Sequence, residues 1–349
     1  MPIAPYNKDV PLINGSDHIP TQNLKGKSVI ITGGAQGIGK DFSTQLVAAG
    51  AFVTIGDVNV EAGKALSKEL GPNAQFIKCD TTSWEESVDM FELAYNNSPH
   101  KSVDIVVANA GLGGMYGDPF STWEDPQTTP KEKPNFAILN VNAIGAAYTA
   151  KLAFHYTRRQ PEAEDRDRAL IVVSSVAGYT DIIGGISYAI TKAGLRGLLK
   201  TARNTVHSHG IRVGLIAPAF IRTTIRTEEQ TVRLDKAGAD YADVSDVTKC
   251  LMILASNKSL NGERTFPDPP SLISKWKKNR GRSLAAVPHS WDPSGVVDLK
   301  EDDEVRTGGY LEKVQDFFFD YGRALGKDVS LPLAKLVSLP ERVCLDVAR

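Results

Sequence analysis

Residues 188–192 read YAITK, so a phenol at Tyr188 and an ammonium at Lys192 lie four residues apart. This spacing puts both side chains on one face of a helix. An ordinary tyrosine keeps its proton up to a pH of about 10, and a neighbouring positive charge favours the phenolate and lowers the tyrosine pKa. The pair therefore predicts a proton-exchanging tyrosine assisted by a lysine. For an isolated motif of this kind, the alternative is a solvated surface pair.

A glycine-rich segment predicts a site for a dinucleotide. Residues 32–39 read TGGAQGIG between a predicted strand and a predicted helix, where the backbone can approach a pyrophosphate and the helix N-terminus stabilises its charge. Asp57 ends the next predicted strand, where a carboxylate can bind ribose hydroxyls and repel a 2′-phosphate. Gln36 stands where an arginine could bind that phosphate, so NAD is preferred and NADP stays open. The alternative role for Asp57 is a cap in a βα turn. The contacts predicted from the segment are Thr32, Gly33, Gln36, Gly37, Ile38 and Gly39.

These residues need a scaffold, and strand and helix signals alternate along the chain. Short apolar runs typical of buried strands occur at 28–32, 51–57, 75–79, 104–110, 170–175 and 211–218, with a last edge strand near 263–266. Helical patterns lie between them: up to Gly50, from Ser83, and around 135–158, 187–208 and 244–255. This order predicts an α/β fold, a three-layer Rossmann-type doubly wound parallel sheet of about seven strands.

The domain organisation follows from the same pattern. We expect an N-terminal arm at 1–25, a Rossmann-fold catalytic domain at 26–268, and a partly helical C-terminal extension at 269–349, with a helix-like segment at 310–324. Residues 113–134 carry four prolines and predict a loop at the carboxyl end of a strand, where open α/β sheets bind ligands.

Four further segments resemble motifs of the short-chain dehydrogenase/reductase family in its TGxxxGxG and YxxxK subgroup, over roughly residues 25–267. They are ANAG at 108–111, NVNAIG at 140–145, VVSSVAG at 172–178 and PAFIRT at 218–223. The resemblance implies the catalytic residues Ser175, Tyr188, Lys192 and Asn142. It implies further cofactor contacts from Asp80, Asn109, Tyr188, Lys192, Pro218, Ile221 and Thr223. Ala219 and Ala108 depart from the family pattern, and Ala219 is expected to restrict the backbone beside the nicotinamide.

The resemblance also implies a mechanism. Tyr188 exchanges a proton with an alcohol, Ser175 hydrogen-bonds the substrate oxygen, Lys192 supports the phenolate and the cofactor ribose, and Asn142 holds a water that leads to solvent. The expected reaction interconverts a secondary alcohol and a ketone. The alternatives are a dinucleotide-binding regulatory protein without turnover, and an epimerase or dehydratase that uses the same residues.

The substrate is expected to be apolar. The segments 112–120, 177–186 and 224–241 are predicted to wall the site, and they supply Leu112, Met115, Tyr116, Phe120, Tyr179, Ile182, Ile183 and Ile186, which equally suit a core. The stretches AFVTIGDVN, KCDTTSWEE and VDIVVANAG are similar to the branch that holds 15-hydroxyprostaglandin dehydrogenase and the hydroxyaverantin dehydrogenases. That similarity implies a lipid-like, polyketide or terpenoid alcohol, in secondary metabolism.

Composition excludes several other classes. The chain has 349 residues and a net charge of −1, so no basic excess points to nucleic acid. Its three cysteines have no metal-ligand or disulfide spacing, and no metal is expected. No apolar run reaches the ~18 residues that a membrane span needs, and the cytoplasm is the expected location. The resemblance implies a homodimer or homotetramer through the helices that begin near Asn135 and Ser187.

Overall fold

The computed structural model describes residues 18–113, 127, 133–159, 167–180, 182, 185–206, 209–223, 225, 228–236, 239–261, 283–290 and 293–298. Its strands are β1 (Ser28–Thr32), β2 (Phe52–Asp57), β3 (Ala74–Lys78), β4 (Ile105–Ala108), β5 (Arg168–Val173), β6 (Ile211–Pro218), β7 (Ser283–Ala286) and β8 (Val296–Asp298). Its helices are α1 (Gly37–Ala48), α2 (Val60–Leu70), α3 (Trp84–Asn97), α4 (Ala137–Leu139), α5 (Ala146–Tyr156), α6 (Ile186–Thr205), α7 (Glu228–Lys236) and α8 (Val244–Ser256), with a π-helical turn at Asn140–Gly145 between α4 and α5.

The strands form one sheet in the order β3-β2-β1-β4-β5-β6-β7-β8. The first seven pair in parallel, and β8 pairs with β7 in the antiparallel sense. The order reverses between β1 and β4, and open α/β sheets bind ligands at the carboxyl ends of the strands beside such a point. The predicted doubly wound parallel sheet of about seven strands is therefore confirmed.

Alternate residues of each central strand enter two separate cores, which explains why the strand segments are apolar without a break. Ile30, Val106 and Leu170 face a core that contains residues of α3, α5 and α6. Val29 and Ile171 face the opposite core, which contains residues of α1 and α8. The sheet is thus covered by helices on both faces, and its carboxyl edge is left to carry the site.

The N-terminal end of the described chain packs against α8. Leu24, in a 3-10 turn at Thr21–Leu24, is fully buried, and the amide of Asn23 donates to the carbonyl of Ser256 at 2.9 Å. At least the last part of the N-terminal segment therefore packs against the body. No described helix is long and apolar enough to cross a bilayer.

The structure differs from the sequence predictions in two places. The expected edge strand near 263–266 lies outside the described residues, and the strand that pairs with β6 is β7 at Ser283–Ala286. The sheet therefore continues past residue 268, into the range that was predicted to be the C-terminal extension. The predicted helix-like segment at 310–324 lies outside the described residues. The helix expected around 135–158 is interrupted by the π-helical turn.

Candidate active site

The glycine-rich loop is shaped by close backbone contacts. A Cβ on Gly39 would lie 2.0 Å from the carbonyl oxygen of Gly33, and a Cβ on Gly33, whose φ is +62°, would lie 2.8 Å from Cα of Ala110. Both positions therefore require glycine. The Asn109 amide holds the loop from the other side, donating to the carbonyls of Thr32 at 3.0 Å and Gly33 at 2.8 Å. The start of α1 is thus fixed at the end of β1.

Asp57 ends β2 beside this loop, and its side chain is 8% exposed. Its carboxylate accepts hydrogen bonds from the backbone N–H groups of Ala35 at 3.0 Å and Asn59 at 2.9 Å. Asn59, not Asp57, caps α2, because its side chain accepts from the N–H of Ala62. Two bonds leave further acceptor positions on the Asp57 carboxylate for a ligand hydroxyl.

Two more segments complete this end of the site. The Asp80 carboxylate follows β3 and accepts from the backbone N–H and the hydroxyl of Thr82, at 2.9 and 2.8 Å. After β6, Ile221 bridges to Ala242, and Thr223 comes within reach of the glycine-rich loop: a Cβ on Gly37 would lie 3.7 Å from Cβ of Thr223. The segment that follows Pro218 therefore faces the loop across the cleft.

Tyr188 and Lys192 lie one turn apart on α6, and the Lys192 Nζ lies 5.4 Å from the centroid of the Tyr188 ring. Lys192 is 5% exposed as a whole residue, and its ammonium donates to the carbonyl of Val173, at the end of β5, at 3.1 Å. Burial lowers the pKa of Lys192 from its ordinary 10.5 to about 8. The sequence thus places a buried cation next to the phenol, as the four-residue spacing predicts.

Ser175 follows β5 and is 8% exposed. Its hydroxyl donates to the carbonyl of Pro218 at 3.3 Å and accepts from the N–H of Ala177 at 3.2 Å. The preceding Ser174 donates to the Lys192 carbonyl at 2.9 Å, which ties the end of β5 to α6. The serine and the Tyr188–Lys192 pair are therefore positioned by the same two elements.

Asn142 sits in the π-helical turn and is 1% exposed. Its side-chain oxygen accepts from the N–H of Leu112 at 2.7 Å, and its amide donates to the Leu112 carbonyl at 3.0 Å and to the hydroxyl of Thr191 at 3.4 Å. Thr191 in turn donates to the carbonyl of Tyr188 at 2.8 Å. The Asn142 side chain thus joins the segment after β4 to α6. This structural role is additional to the predicted contact with a water.

These groups surround one cleft with a volume of about 580 Å³, within the usual range of ligand sites. The predicted site residues that line it are Gly33, Gln36, Gly37, Ile38, Gly39, Asp57, Asp80, Asn109, Ser175, Tyr188, Lys192, Pro218, Ile221 and Thr223. Thr32 and Asn142 are buried and are not among the lining residues. Thr32, 1% exposed, accepts from the N–H groups of Asn109 at 3.1 Å and Ala110 at 3.2 Å.

The cleft also has lining residues that the sequence interpretation missed: Val58, Cys79, Thr81, Ile138 and Val141. Val58, Cys79 and Thr81 directly follow or flank the predicted Asp57 and Asp80, so their proximity to those positions was an available signal. Ile138 and Val141 come from the start of the interrupted helix. Ile225 also lines the cleft, and it lies in the segment 224–241 that was predicted to wall the site. No local pattern marks Ile138 and Val141, because their position depends on tertiary packing.

Of the residues predicted to wall a substrate, Leu112 lines the cleft. Tyr179 and Ile182 instead pack against the core, and Tyr179 stacks on the guanidinium of Arg196 at 4.5 Å. Ile186 is 41% exposed and is not among the lining residues. Met115, Tyr116, Phe120 and Ile183 lie outside the described residues. Ala219, the departure from the glycine of the family pattern, lines the cleft and donates its N–H to Ala286 at 2.9 Å.

Exposed apolar side chains lie on the two helices predicted to form subunit contacts. Ile144 is 46% exposed in the π-helical turn, and Ile190 is 49% exposed on α6. The structure contains one chain, so assembly into a homodimer or homotetramer stays a prediction.

Comparisons with known proteins agree with this geometry. Residues 27–233 match the family model described as short chain dehydrogenase. A 5'-hydroxyaverantin dehydrogenase of Dothistroma septosporum is 31% identical over 82% of this chain and 91% of its own length. A short-chain dehydrogenase/reductase of Penicillium roqueforti is 35% identical over 76% of this chain and 75% of its own.

Solved structures show the same fold. A 3-hydroxyacyl-CoA dehydrogenase type-2 from Mycobacterium avium superposes with a TM-score of 0.59 at 28% identity, over 68% of this chain and 92% of that one. The NADH complex of a 3-ketoacyl-(acyl-carrier-protein) reductase from Brucella melitensis gives a TM-score of 0.58 at 21% identity, over 67% of this chain and 93% of that one. Because the family model spans more than half of the chain and its motifs meet in one cleft, the protein belongs to the short-chain dehydrogenase/reductase family.

Proposed function

We propose that the protein is an NAD(P)-dependent oxidoreductase that interconverts a secondary alcohol and a ketone on an apolar small molecule, with NAD preferred. One observation carries the proposal: the glycine-rich loop, Asp57, Ser175, Tyr188 and Lys192 all line the same cleft. A dinucleotide-binding set beside a proton-exchanging set suits hydride transfer better than simple binding.

The residues at the glycine-rich end fit a dinucleotide. Glycines let the backbone approach a pyrophosphate at the start of α1, and the Asp57 carboxylate has acceptor capacity left for ribose hydroxyls. The same carboxylate would repel a 2′-phosphate, and Val58 beside it is 62% exposed and carries no compensating charge. These features support NAD over NADP.

The protein's own groups handle the proton and the oxygen charge. When bound, the nicotinamide ring accepts or supplies the hydride. Tyr188 takes the hydroxyl proton of the alcohol, or returns it to the ketone oxygen. Lys192, with a pKa of about 8, carries its positive charge in most molecules at neutral pH and stabilises the phenolate. The Ser175 hydroxyl exchanges its bond with the Pro218 carbonyl for one with the substrate oxygen.

The lining also supports an apolar substrate. Leu112, Ile138, Val141 and Ile225 lie along the cleft, and Leu112 and Ile225 are 41% and 47% exposed, so each offers apolar surface to a ligand. Two relatives carry the name 5'-hydroxyaverantin dehydrogenase, from Dothistroma septosporum and Emericella nidulans. Lipid-like, polyketide and terpenoid alcohols of secondary metabolism are therefore the first substrates to test.

The test is a panel of such alcohols and the matching ketones, with purified full-length protein and with NAD and NADP in parallel. We expect formation or consumption of reduced nicotinamide, and a Tyr188→Phe variant should lose about 10²- to 10⁴-fold in kcat. Tyr95→Phe, on α3 away from the cleft, is the matched control and should keep the activity.

Three outcomes contradict the proposal in different ways. Full activity of Tyr188→Phe would show that Tyr188 does not exchange the substrate proton. Dinucleotide binding without turnover of any alcohol or ketone would favour a regulatory binding protein. Product formation without net change in the cofactor would favour an epimerase or dehydratase.

A further inference from the structure

Three potential metal ligands converge at the start of α8, away from the residues that line the cleft. Asp243 is the N-cap position of this helix, Asp246 lies in its first turn, and His289 follows β7. One ligand atom of each residue lies within 4.8 Å of those of the other two. We propose that this cluster binds a divalent transition-metal ion of the zinc type and fastens the β7–β8 hairpin to α8.

The Asp246 carboxylate is the central member. It is 5% exposed, and its buried Oδ2 lies 3.0 Å from His289 Nε2 but accepts no hydrogen bond of good geometry from the described residues. Gly295 of the hairpin packs directly on it, since a Cβ on that glycine would lie 2.3 Å from the carboxyl carbon. A buried carboxylate oxygen without a donor is costly unless a cation reaches it.

His289 is oriented to supply that contact. Its Nδ1 lies 2.9 Å from the carbonyl of Pro293, which places the ring proton on Nδ1 and leaves a lone pair on Nε2. Metal-bound histidines commonly donate their other nitrogen to a backbone carbonyl in this way. Nε2 lies 3.0 Å from Asp246 Oδ2 and 3.8 Å from Asp243 Oδ2.

The separations of 3.0 and 3.8 Å from His289 Nε2 to the two carboxylate oxygens suit an ion bound between them. Zinc bonds of about 2.0–2.2 Å in a tetrahedral arrangement put neighbouring ligand atoms roughly 3.4 Å apart. One imidazole and two carboxylates make a ligand set that zinc accepts, and a water can take the fourth position because Asp243 and His289 are half exposed or more. Without a cation, the Nε2 lone pair and the Oδ2 charge would face each other at close range.

The backbone around the cluster is already held in place. Lys249, further along α8, donates from Nζ to the carbonyl of Ser294 at 3.2 Å, which fixes the hairpin against the helix. Ala242, next to Asp243, donates its N–H to the carbonyl of Phe220 at 2.9 Å. An ion at this point would therefore join α8 and the hairpin to the segment after β6 that carries Ile221 and Thr223.

A proton is the competing cation. The Pro293 carbonyl first, and then the charge of Asp246, raise the pKa of His289, so an imidazolium could make the same contact without metal. The test therefore uses tag-free full-length protein, freed of metal with EDTA and titrated calorimetrically with ZnCl₂ at pH 8. We expect one zinc ion per chain.

Two exposed ligands allow substitution without disturbing the core. His289→Gln and Asp243→Asn should each weaken zinc binding by more than about 10-fold, because even a change in an outer partner of a metal ligand costs that much. His100→Gln, another exposed histidine remote from the cluster, should bind zinc as the unaltered chain does. Zinc should also raise the melting temperature by about 5 °C at 100-fold excess over Kd, in the unaltered chain and not in His289→Gln.

Absence of zinc binding at pH 8 would overturn the proposal and leave the His289–Asp246 ion pair as the function of the cluster. Equal zinc binding by all three variants and the unaltered chain would overturn it as well, since the ion would then sit elsewhere. Neither readout uses catalytic activity, so failure here is distinct from failure of the proposed oxidoreductase function.

Discussion

Lys192 combines two properties that oppose each other, burial and charge. The residue is 5% exposed, and the hydrogen bond from its ammonium to the Val173 carbonyl stabilises the charge less than full hydration would. Burial therefore lowers its pKa to about 8, against an ordinary value of 10.5. The cost is tolerated because a charge at this point acts on the Tyr188 phenol, so the residue trades stability for reactivity.

The cost predicts a pH-dependent stability. Below pH 8 both the folded and unfolded states hold the Lys192 proton, and the folded state bears the full penalty, about 3 kcal/mol for a shift from 10.5 to about 8. Between the two pKa values the folded state has already released the proton, so this contribution to stability rises with pH. A Lys192→Met variant lacks this pH-dependent contribution to the free energy of unfolding. Without cofactor, the free energy of unfolding of the variant minus that of the unaltered protein should fall by about 2 kcal/mol from pH 7 to pH 9.5.

Urea unfolding at several pH values measures this difference, and Lys151→Met, which changes an exposed lysine on α5, is the control. Lys192→Met also loses the bond to Val173, but that loss is independent of pH. A difference that stays constant across the range would show that Lys192 is not buried as a charge.

At the scale of elements, the π-helical turn at Asn140–Gly145 lets one helical segment both support the site, through Asn142, and pack in the core, through α5. Residues 140–145 leave the α-helical register, so Asn142 points to the backbone of Leu112 while α5 continues into the core. The sequence predicted Asn142 as a site residue from a family motif, and Ser28–Thr32 and Ile211–Pro218 as strands from their apolar runs. It did not predict the turn, because a π-helical turn of six residues has no residue pattern that distinguishes it from an ordinary α-helix.

The turn predicts a sharp difference between two asparagines. In Asn142→Asp, a carboxylate oxygen replaces the amide that donates to the Leu112 carbonyl, and a charge is buried at a position 1% exposed. We expect a loss of about 2–4 kcal/mol in the free energy of unfolding and weaker dinucleotide binding. Asn140→Asp changes an exposed residue of the same turn and should cost less than about 0.5 kcal/mol.

Chemical denaturation of the two variants, together with fluorescence titration of NADH, provides the measurement. Equal stability of the two would mean that the Asn142–Leu112 bonds contribute nothing net.

At the scale of the whole molecule, sequence patterns predicted the strands of the sheet as far as β6 but did not indicate β7. SLAA at 283–286 is too short and too weakly apolar to indicate a strand by itself, and its partner β6 lies more than 60 residues earlier in the chain. Its place is set by tertiary contacts: Leu284 and Val296 are buried in the core with α8. The cleft residues Ile138 and Val141 were missed for the same reason.

The hairpin should therefore contribute to the stability of the whole domain. Val296 on β8 is 3% exposed and packs in the core shared with α8, whereas Val232 on α7 is 44% exposed. Val296→Ala removes two buried methyl groups and should cost about 2 kcal/mol of unfolding free energy, while Val232→Ala should stay within about 0.5 kcal/mol. Both changes are made in the full-length chain and compared by urea denaturation. If the hairpin were an independent appendage, Val296→Ala would leave the main unfolding transition unchanged; a shift of that single transition shows that β7 and β8 unfold together with the catalytic sheet.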